Sequence, residues 1–492
     1  MSVAAPPEGR GAVECERALR VAFLSSEAVP FAKTGGLGDV AGALPKALVG
    51  AGVDAVLIHP LYDTTDRGLL QERVFDNLEV DWLGHRRTTS VWFSEAAGAP
   101  AFLIEAPEYF SRGRVYGQSD DHVRFAFFSK AALSLMGRLG EAPDIVHGND
   151  WPCGFASVWL SAGRRWGGFL SRARSLHSIH NLAYQGLFDP ADLWRLGFRH
   201  GEEMDVFMSN GVASSLKAGL MTADAVSTVS SRYSLEIQGP EQGHGLDWLM
   251  RQRRDRLVGI TNGVDYDVWD PATDPHLPAH YTAEDLSGKR ECKLDLLRSL
   301  GLPEEPERPV VASITRLVAQ KGYDLIKAIA RDLLDTGAFF VALGSGEREY
   351  EDFLQWLRDR APHRIGVYKG FNEPLAHQIE AGADIFLMPS LYEPCGLNQM
   401  YSMRYGTVPV VRATGGLDDT VEHFDPRRGT GTGFKFDEYS PRALAGALRE
   451  ALFWYNRPEA WRRIQLNGMA VDNSWGAAAH KYVRLYEAIL NL

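Results

Sequence analysis

Cysteine is scarce: Cys15, Cys153, Cys292 and Cys395 are the only four in 492 residues. They stand far apart, with no C-x-x-C and no clustered histidines. That excludes a disulfide framework or a zinc site and points to free thiols in a reducing compartment. Basic charge is also in deficit. Lys and Arg number 52 against 63 Asp and Glu, a formal charge of −11. Binding to nucleic acid or an anionic membrane surface needs the opposite balance, so neither partner is expected; a neutral polymer is left open. No window approaches 18 uninterrupted apolar residues, so no membrane span is expected. The stretch Met1 to Arg20 lacks the basic-then-apolar layout of a secretory signal. The expectation is a cytoplasmic chain whose residues 1–18 form a flexible extension.

The length implies two or three domains. Short apolar runs alternate with longer amphipathic ones: Val21-Ala22-Phe23-Leu24, Ala55 to Ile58, Phe102-Leu103-Ile104 and Ile145-Val146, with helical stretches such as Leu37–Leu48 and Val123–Leu135 between them. Continuous apolar runs suit parallel strands covered on both faces, and the alternation implies βαβ units. Trp269 to Pro306 breaks the pattern with several prolines, and it restarts at Pro309–Ile314, Phe339–Leu343, Ile365–Tyr368 and Asp384–Met388. Val408-Pro409-Val410-Val411 reads as an edge or terminal strand because proline cannot complete a ladder. The reading is an α/β chain of two Rossmann-like domains facing across a cleft, 19–270 and 308–474, with a linker over 271–307.

Several post-strand loops carry residues suited to chemistry. Lys33-Thr34-Gly35-Gly36-Leu37-Gly38-Asp39 follows the first strand and opens a helix. Glycines admit a ligand close to the backbone, the helix start favours phosphate, and Lys33 adds a compact cation. The same glycines would equally serve a tight turn without a ligand. The Gly-Lys-Ser/Thr ending of a nucleotide-triphosphate loop is absent. Arg316 and Lys321 share a loop and suit a diphosphate leaving group, or else are ordinary surface charges. Glu393, in a turn bounded by Pro394 and Gly396, can aim a carboxylate into the cleft or serve as a cap. Gly415-Gly416-Leu417 supplies a second glycine pair for phosphate or backbone contacts. His180 ends a strand, and His147 to Trp151 is a polar cluster ending in an aromatic, a combination that suits sugars. A lone histidine is as readily a structural residue. Asp265-x-Asp267 has the form of a metal-binding pair, but no metal is expected because Lys33, Arg316 and Lys321 can neutralise a diphosphate.

Together Lys33 to Val40, His180 to Gly186, Thr261 to Asp265, Arg316 with Lys321, and Glu393 to Leu397 resemble the glycogen/starch synthase family of bacteria and plants, from about Leu19 onward. The resemblance implies a retaining glucosyltransferase of the two-Rossmann-domain GT-B architecture. ADP-glucose would be the donor and an α-1,4-glucan the acceptor, with no cofactor required. It implies that residues 475–492 return to the first domain. It implies catalytic roles for Lys33, His180, Arg316, Lys321 and Glu393. Donor contacts would come from Lys33, Gly35, Gly36, Asn262, Arg316, Lys321, Gly415, Gly416 and Leu417, and sugar or acceptor orientation from Asp39, Asp150 and Tyr116. Tyr116 is equally suited to loop packing. Pro152, Asp418 and Asn398 depart from the family pattern. Oligomeric state is not legible. The rival readings are a GT-B enzyme using UDP- or GDP-sugar with a small acceptor, a glucan phosphorylase, and a catalytically silent glucan-binding protein.

Overall fold

The computed structural model describes residues 17–140, 142–166, 168–199 and 201–492, so most of the expected N-terminal extension lies outside it. The apolar runs become the centres of two sheets. The first contains β1 (Arg20–Leu24), β2 (Asp54–Pro60), β3 (Glu72–Trp82), β4 (His85–Ser94), β5 (Ala101–Glu105), β6 (Ile145–Asn149), β7 (Arg174–Ile179), β11 (Ala225–Thr228) and β12 (Leu257–Gly259). Its order is β12-β11-β7-β6-β1-β2-β5-β4-β3. The pairing is parallel except at β5-β4-β3, where a long antiparallel hairpin closes one edge. A small sheet, β8 (Leu187–Phe188), β9 (Met208–Ser209) and β10 (Val212–Ser214), stands apart in the order β8-β10-β9.

The second sheet is wholly parallel, in the order β15-β14-β13-β16-β17-β18. Its strands are β13 (Val310–Ile314), β14 (Phe339–Gly344), β15 (Ile365–Lys369), β16 (Ile385–Met388), β17 (Val408–Arg412) and β18 (Phe434–Phe436). Strand β17 is therefore not at an edge, against the expectation drawn from Pro409. The register explains the tolerance. The Val408 amide donates to Asp384 on the β16 side, so the missing N–H at Pro409 turns toward β18, whose pairing begins only at Val410.

The stretch 271–307 is not a free linker. Its helix Ser287–Ser299 places Leu296 and Leu297 in one apolar cluster with Val310, Phe339 and Phe386. Lys293, nearly buried, pairs with Asp384 at 2.6 Å. Burial of this helix against the second sheet overrides the proline-rich look of its flanks.

The chain crosses between domains twice, side by side. Val264 donates to the Asn473 carbonyl at 2.7 Å, and a Cβ on Gly263 would lie 2.5 Å from the Trp475 backbone. The last helix, Trp475–Leu490, then buries Ala479, Tyr482 and Tyr486 against Val21, Phe23 and Leu44 of the first domain.

Candidate active site

In each sheet the strand order reverses beside the first strand of the domain, between β1 and β6 and between β13 and β16. The loops leaving such strands diverge and leave a crevice at their carboxyl ends. The loops after β1, β6, β7, β13 and β16 carry Lys33, Asp150, His180, Arg316 and Glu393, and all five line one cavity of about 890 Å³ between the domains. Gly35, Gly36, Asp39, Tyr116, Asn262 and Lys321 line it as well. No helix among the described residues is long and apolar enough to cross a membrane.

The first-domain wall is organised by Glu27, which the sequence reading passed over. Its buried carboxylate accepts from the amides of Thr34 and Gly35 and, at 2.8 Å, from the Tyr116 hydroxyl. Tyr116 thus fixes the acid that fixes the glycine loop, and its ring lies 5.6 Å from that of Trp151. A Cβ added to Gly35 or Gly36 would meet nothing within 4 Å, so both positions open onto space rather than protein. Lys33 pairs with Asp39 at 2.7 Å, and burial nonetheless pushes the Asp39 carboxyl above its ordinary value.

His180 is held in one tautomer. The Asn149 amide nitrogen donates to the Leu24 carbonyl, which turns Asn149 Oδ1 to His180 Nε2 at 2.9 Å. An amide oxygen only accepts, so Nε2 carries the proton and Nδ1 is left as an acceptor. Burial, with His177 adding repulsion, brings the His180 ring down to about 3, so it is neutral. Asp150 accepts from the His180 amide at 2.7 Å, yet desolvation raises its carboxyl to about 7. Within the cluster His147 to Trp151, only Asp150 and Trp151 reach the cavity. His147 is buried behind it, bonded to Ser178 and to Tyr486 of the last helix at 2.6 and 2.8 Å.

The second-domain wall is charged. Lys321 Nζ donates to Glu393 at 2.5 Å, and Ser390 Oγ to the same oxygen at 3.1 Å. Arg316 is exposed and makes no salt bridge or side-chain hydrogen bond among the described residues, so its guanidinium is available to an anion. Asn262 Oδ1 is buried without a hydrogen-bond partner among the described residues. Asn398, at the wall, donates to buried Glu380 behind it, whose carboxyl burial raises to about 8.

Gly415, Gly416 and Leu417 are not part of the lining. Gly415 adopts φ 46°, and a Cβ there would sit 1.9 Å from the Glu393 carbonyl oxygen; at Gly416 it would sit 2.1 Å from that of Cys395. Their amides are already taken, Gly415 by Glu236 at 3.1 Å and Gly416 by Glu393 O at 3.1 Å. This pair packs the Glu393 turn from behind instead of facing the cleft. Asp265 and Asp267 both answer Lys46, at 3.9 and 2.7 Å. No cluster of three or more metal-ligating side chains occurs among the described residues.

Two facing sheets, parallel around both switch points and sharing one cleft there, have the GT-B architecture of glycosyltransferases. Residues 20–252 match the starch synthase catalytic domain family, and 300–465 match glycosyl transferases group 1. A glycogen synthase of an Anaeromyxobacter species is 46% identical over 96% of this chain and 99% of its own length. One from Bacillus cereus is 38% identical over 96% and 100%. The chain is also similar to a solved structure described as the catalytic domain of Starch Synthase IV from Arabidopsis thaliana bound to ADP and acarbose. That match has a TM-score of 0.89 and 35% identity, covering 97% of this chain and 100% of that one. A sucrose-phosphate synthase from Thermosynechococcus elongatus, at 18% identity and a TM-score of 0.60 over 96% and 99%, shares the fold. The chain belongs to the glycogen/starch synthase family and is a glucosyltransferase.

Proposed function

We propose that this enzyme transfers glucose from ADP-glucose to the non-reducing end of an α-1,4-glucan with retention of configuration, in the cytoplasm and without a cofactor. The observation that carries the reading is the pairing of Lys321 with Glu393 at 2.5 Å beside an uncommitted Arg316. Arg316 and Lys321 neutralise the diphosphate, Lys33, the open backbone at Gly35 and the Gly36 amide approach it from the opposite wall, and Glu393 holds the glucose hydroxyls beside the charge that develops at the anomeric carbon. His180 Nδ1 accepts from a sugar hydroxyl. Asp39, Asp150 and Asn262 orient the remaining hydroxyls.

Glu393 is engaged by Lys321 and Ser390, so it is not set as an unpaired nucleophile. Same-face displacement fits this arrangement. The bond from the anomeric carbon to the diphosphate oxygen breaks, the acceptor 4-hydroxyl oxygen bonds to that carbon, and its proton passes to the departing phosphate. Preorganised charge then supplies most of the rate. The test is nucleotide release from ADP-, UDP- and GDP-glucose, each with and without glycogen, in the native enzyme and Glu393→Ala. Glycogen-dependent ADP release that collapses in the variant supports the reading. Preference for another nucleotide, or transfer only to small acceptors, overturns it.

A further inference from the structure

We propose that Glu236, a first-domain residue outside the cleft, is a positioning residue for Glu393 of the second domain and acts across the domain boundary through the backbone of Gly415. The inference rests on the function proposed above, in which Glu393 holds the donor glucose.

The Glu393 carboxylate is fixed within its own domain by Lys321 and Ser390. It is only as well placed as the backbone that carries it, and Glu393-Pro394-Cys395 lies in no helix or strand. The carbonyls of this turn are held from behind instead. The Gly416 amide donates to the Glu393 and Pro394 carbonyls, both at 3.1 Å, and Gln399 Nε2 donates to that of Cys395 at 3.2 Å. Gly415 lies so near the Glu393 carbonyl oxygen that a Cβ would sit 1.9 Å from it. A shift of Gly415-Gly416 therefore carries the turn with it.

The first domain supplies what holds this glycine pair. After β11 comes a short helix, Ser231–Glu236, whose last residue sends its carboxylate across the boundary. Glu236 accepts from the Gly415 amide at 3.1 Å and from the Thr414 hydroxyl at 3.3 Å, with its side chain only 15% exposed. At the start of the helix Ser230 Oγ donates to the Pro394 carbonyl at 2.6 Å, and the Arg232 amide donates to Asp419 at 3.0 Å. That end is rooted in the first sheet, because a Cβ on Gly259 of β12 would lie 2.2 Å from the Ser230 carbonyl oxygen. One helix thus grips the back of the turn at two points. Neither Glu236 nor Ser230 lines the cavity, so neither touches a substrate held there.

The bond to Gly415 outweighs the ion pair beside it. Arg232 meets Glu236 at 3.1 Å with its side chain 49% exposed, and solvent screens such a pair. Gly415 is buried, and a buried amide that loses its acceptor costs more than an exposed ion pair gains. Glutamine in place of Glu236 keeps an oxygen that can accept from that amide; alanine does not.

The experiment measures kcat and KM on ADP-glucose and glycogen, Kd for ADP, and melting temperature in the native enzyme, Glu236→Ala, Glu236→Gln and Arg232→Ala. Glu236→Ala is expected to lower kcat about 10- to 30-fold with Kd for ADP within about twofold, because ADP has no glucose for Glu393 to hold. Glu236→Gln brings kcat back to within about threefold of native, and Arg232→Ala stays within about twofold. In a Glu393→Gln background Glu236→Ala costs less than about twofold more, since the group it positions is already gone. A native kcat in folded Glu236→Ala overturns the inference, whatever the melting temperature. So does an equal loss in Glu236→Ala and Arg232→Ala, which makes the helix a charge latch, and so does an undiminished loss in the Glu393→Gln background. Should Glu236→Ala not fold, Ser230→Ala replaces it: a fall in kcat of about threefold or more at unchanged Kd for ADP supports the inference, and an unchanged kcat overturns it. Absence of glucan-dependent ADP release in the native enzyme instead defeats the underlying function, which keeps the two failures distinct.

Discussion

The first domain brings to the cleft, beside its Lys33–Asp39 pair, two groups that burial holds at or near neutrality, whereas the second brings the Lys321–Glu393 pair and an uncommitted Arg316. His180 is brought down to about 3 and Asp150 up to about 7, while across the gap Arg316 has no side-chain partner among the described residues and Lys321 meets Glu393 at 2.5 Å. The contrast divides the labour. On the proposed function, neutral and oriented donors and acceptors would discriminate hydroxyl positions, and fixed charges would respond to the diphosphate as it separates. The glycine pairs repeat the division. Gly35-Gly36 face open space in the cleft, and Gly415-Gly416 are packed under the Glu393 turn.

Breaking the charged wall should cost most. Arg316→Ala and Lys321→Ala are each expected to lower kcat about 10²–10³-fold, with a smaller change in donor KM; near-normal turnover in both, measured by steady-state kinetics, would remove the electrostatic account. Next come the glycines. Gly415→Ala forces a contact of 1.9 Å with the Glu393 carbonyl in a left-handed backbone, so both activity and melting temperature should drop. Gly35→Ala, whose backbone is extended, should melt like the native enzyme and lose donor affinity alone. Equal melting losses would show that the two pairs do the same job.

Two pH experiments sharpen the neutral wall. The first domain buries His59, His177 and His180 with rings lowered to about 3, 4 and 3 from 6.5. The unfolded chain binds protons that the fold refuses, so stability present above pH 6.5 is lost as pH falls below it. Acid titration followed by circular dichroism should show this loss, reduced in His59→Gln. Asp150 works the other way. Its carboxyl keeps a proton up to about 7 that the unfolded chain releases near 3.8, so its contribution to stability falls as pH rises between those values. Asp150→Asn should flatten that slope and remove an ionisation near pH 7 from the kcat/KM profile. The smallest effect is expected for Tyr116→Phe, about a two- to tenfold loss of donor affinity, because Glu27 keeps its two backbone amides.

Much of the site was legible because its residues sit in loops that directly follow apolar runs, and parallel sheets expose such loops at one end. What escaped depended on packing. Gly35-Gly36-Leu37 and Gly415-Gly416-Leu417 read alike, and only the atoms that a Cβ would meet separate them. Glu27 looked unremarkable because its partners are backbone amides seven and eight residues on. The β3–β4 hairpin turns at Leu83-Gly84, both at positive φ, where asparagine or aspartate would have announced the turn. The helix Ser287–Ser299 is polar on average, and its membership in the second domain rests on a few leucines and the buried Lys293.

The return of helix Trp475–Leu490 to the first domain bears on how the chain is made. The groove that receives Tyr482 and Tyr486 is built from residues translated early, and its cover arrives only after the whole second domain has left the ribosome. At cellular elongation speeds that is a delay of tens of seconds. For that interval Val21, Phe23 and Leu44 lack the part of their cover that Ala479, Tyr482 and Tyr486 supply, and His147 lacks its bond to Tyr486. The nascent first half therefore shows that groove to solvent until the last stretch is synthesised, and a stop codon before Trp475 should destabilise the domain it lies farthest from in sequence.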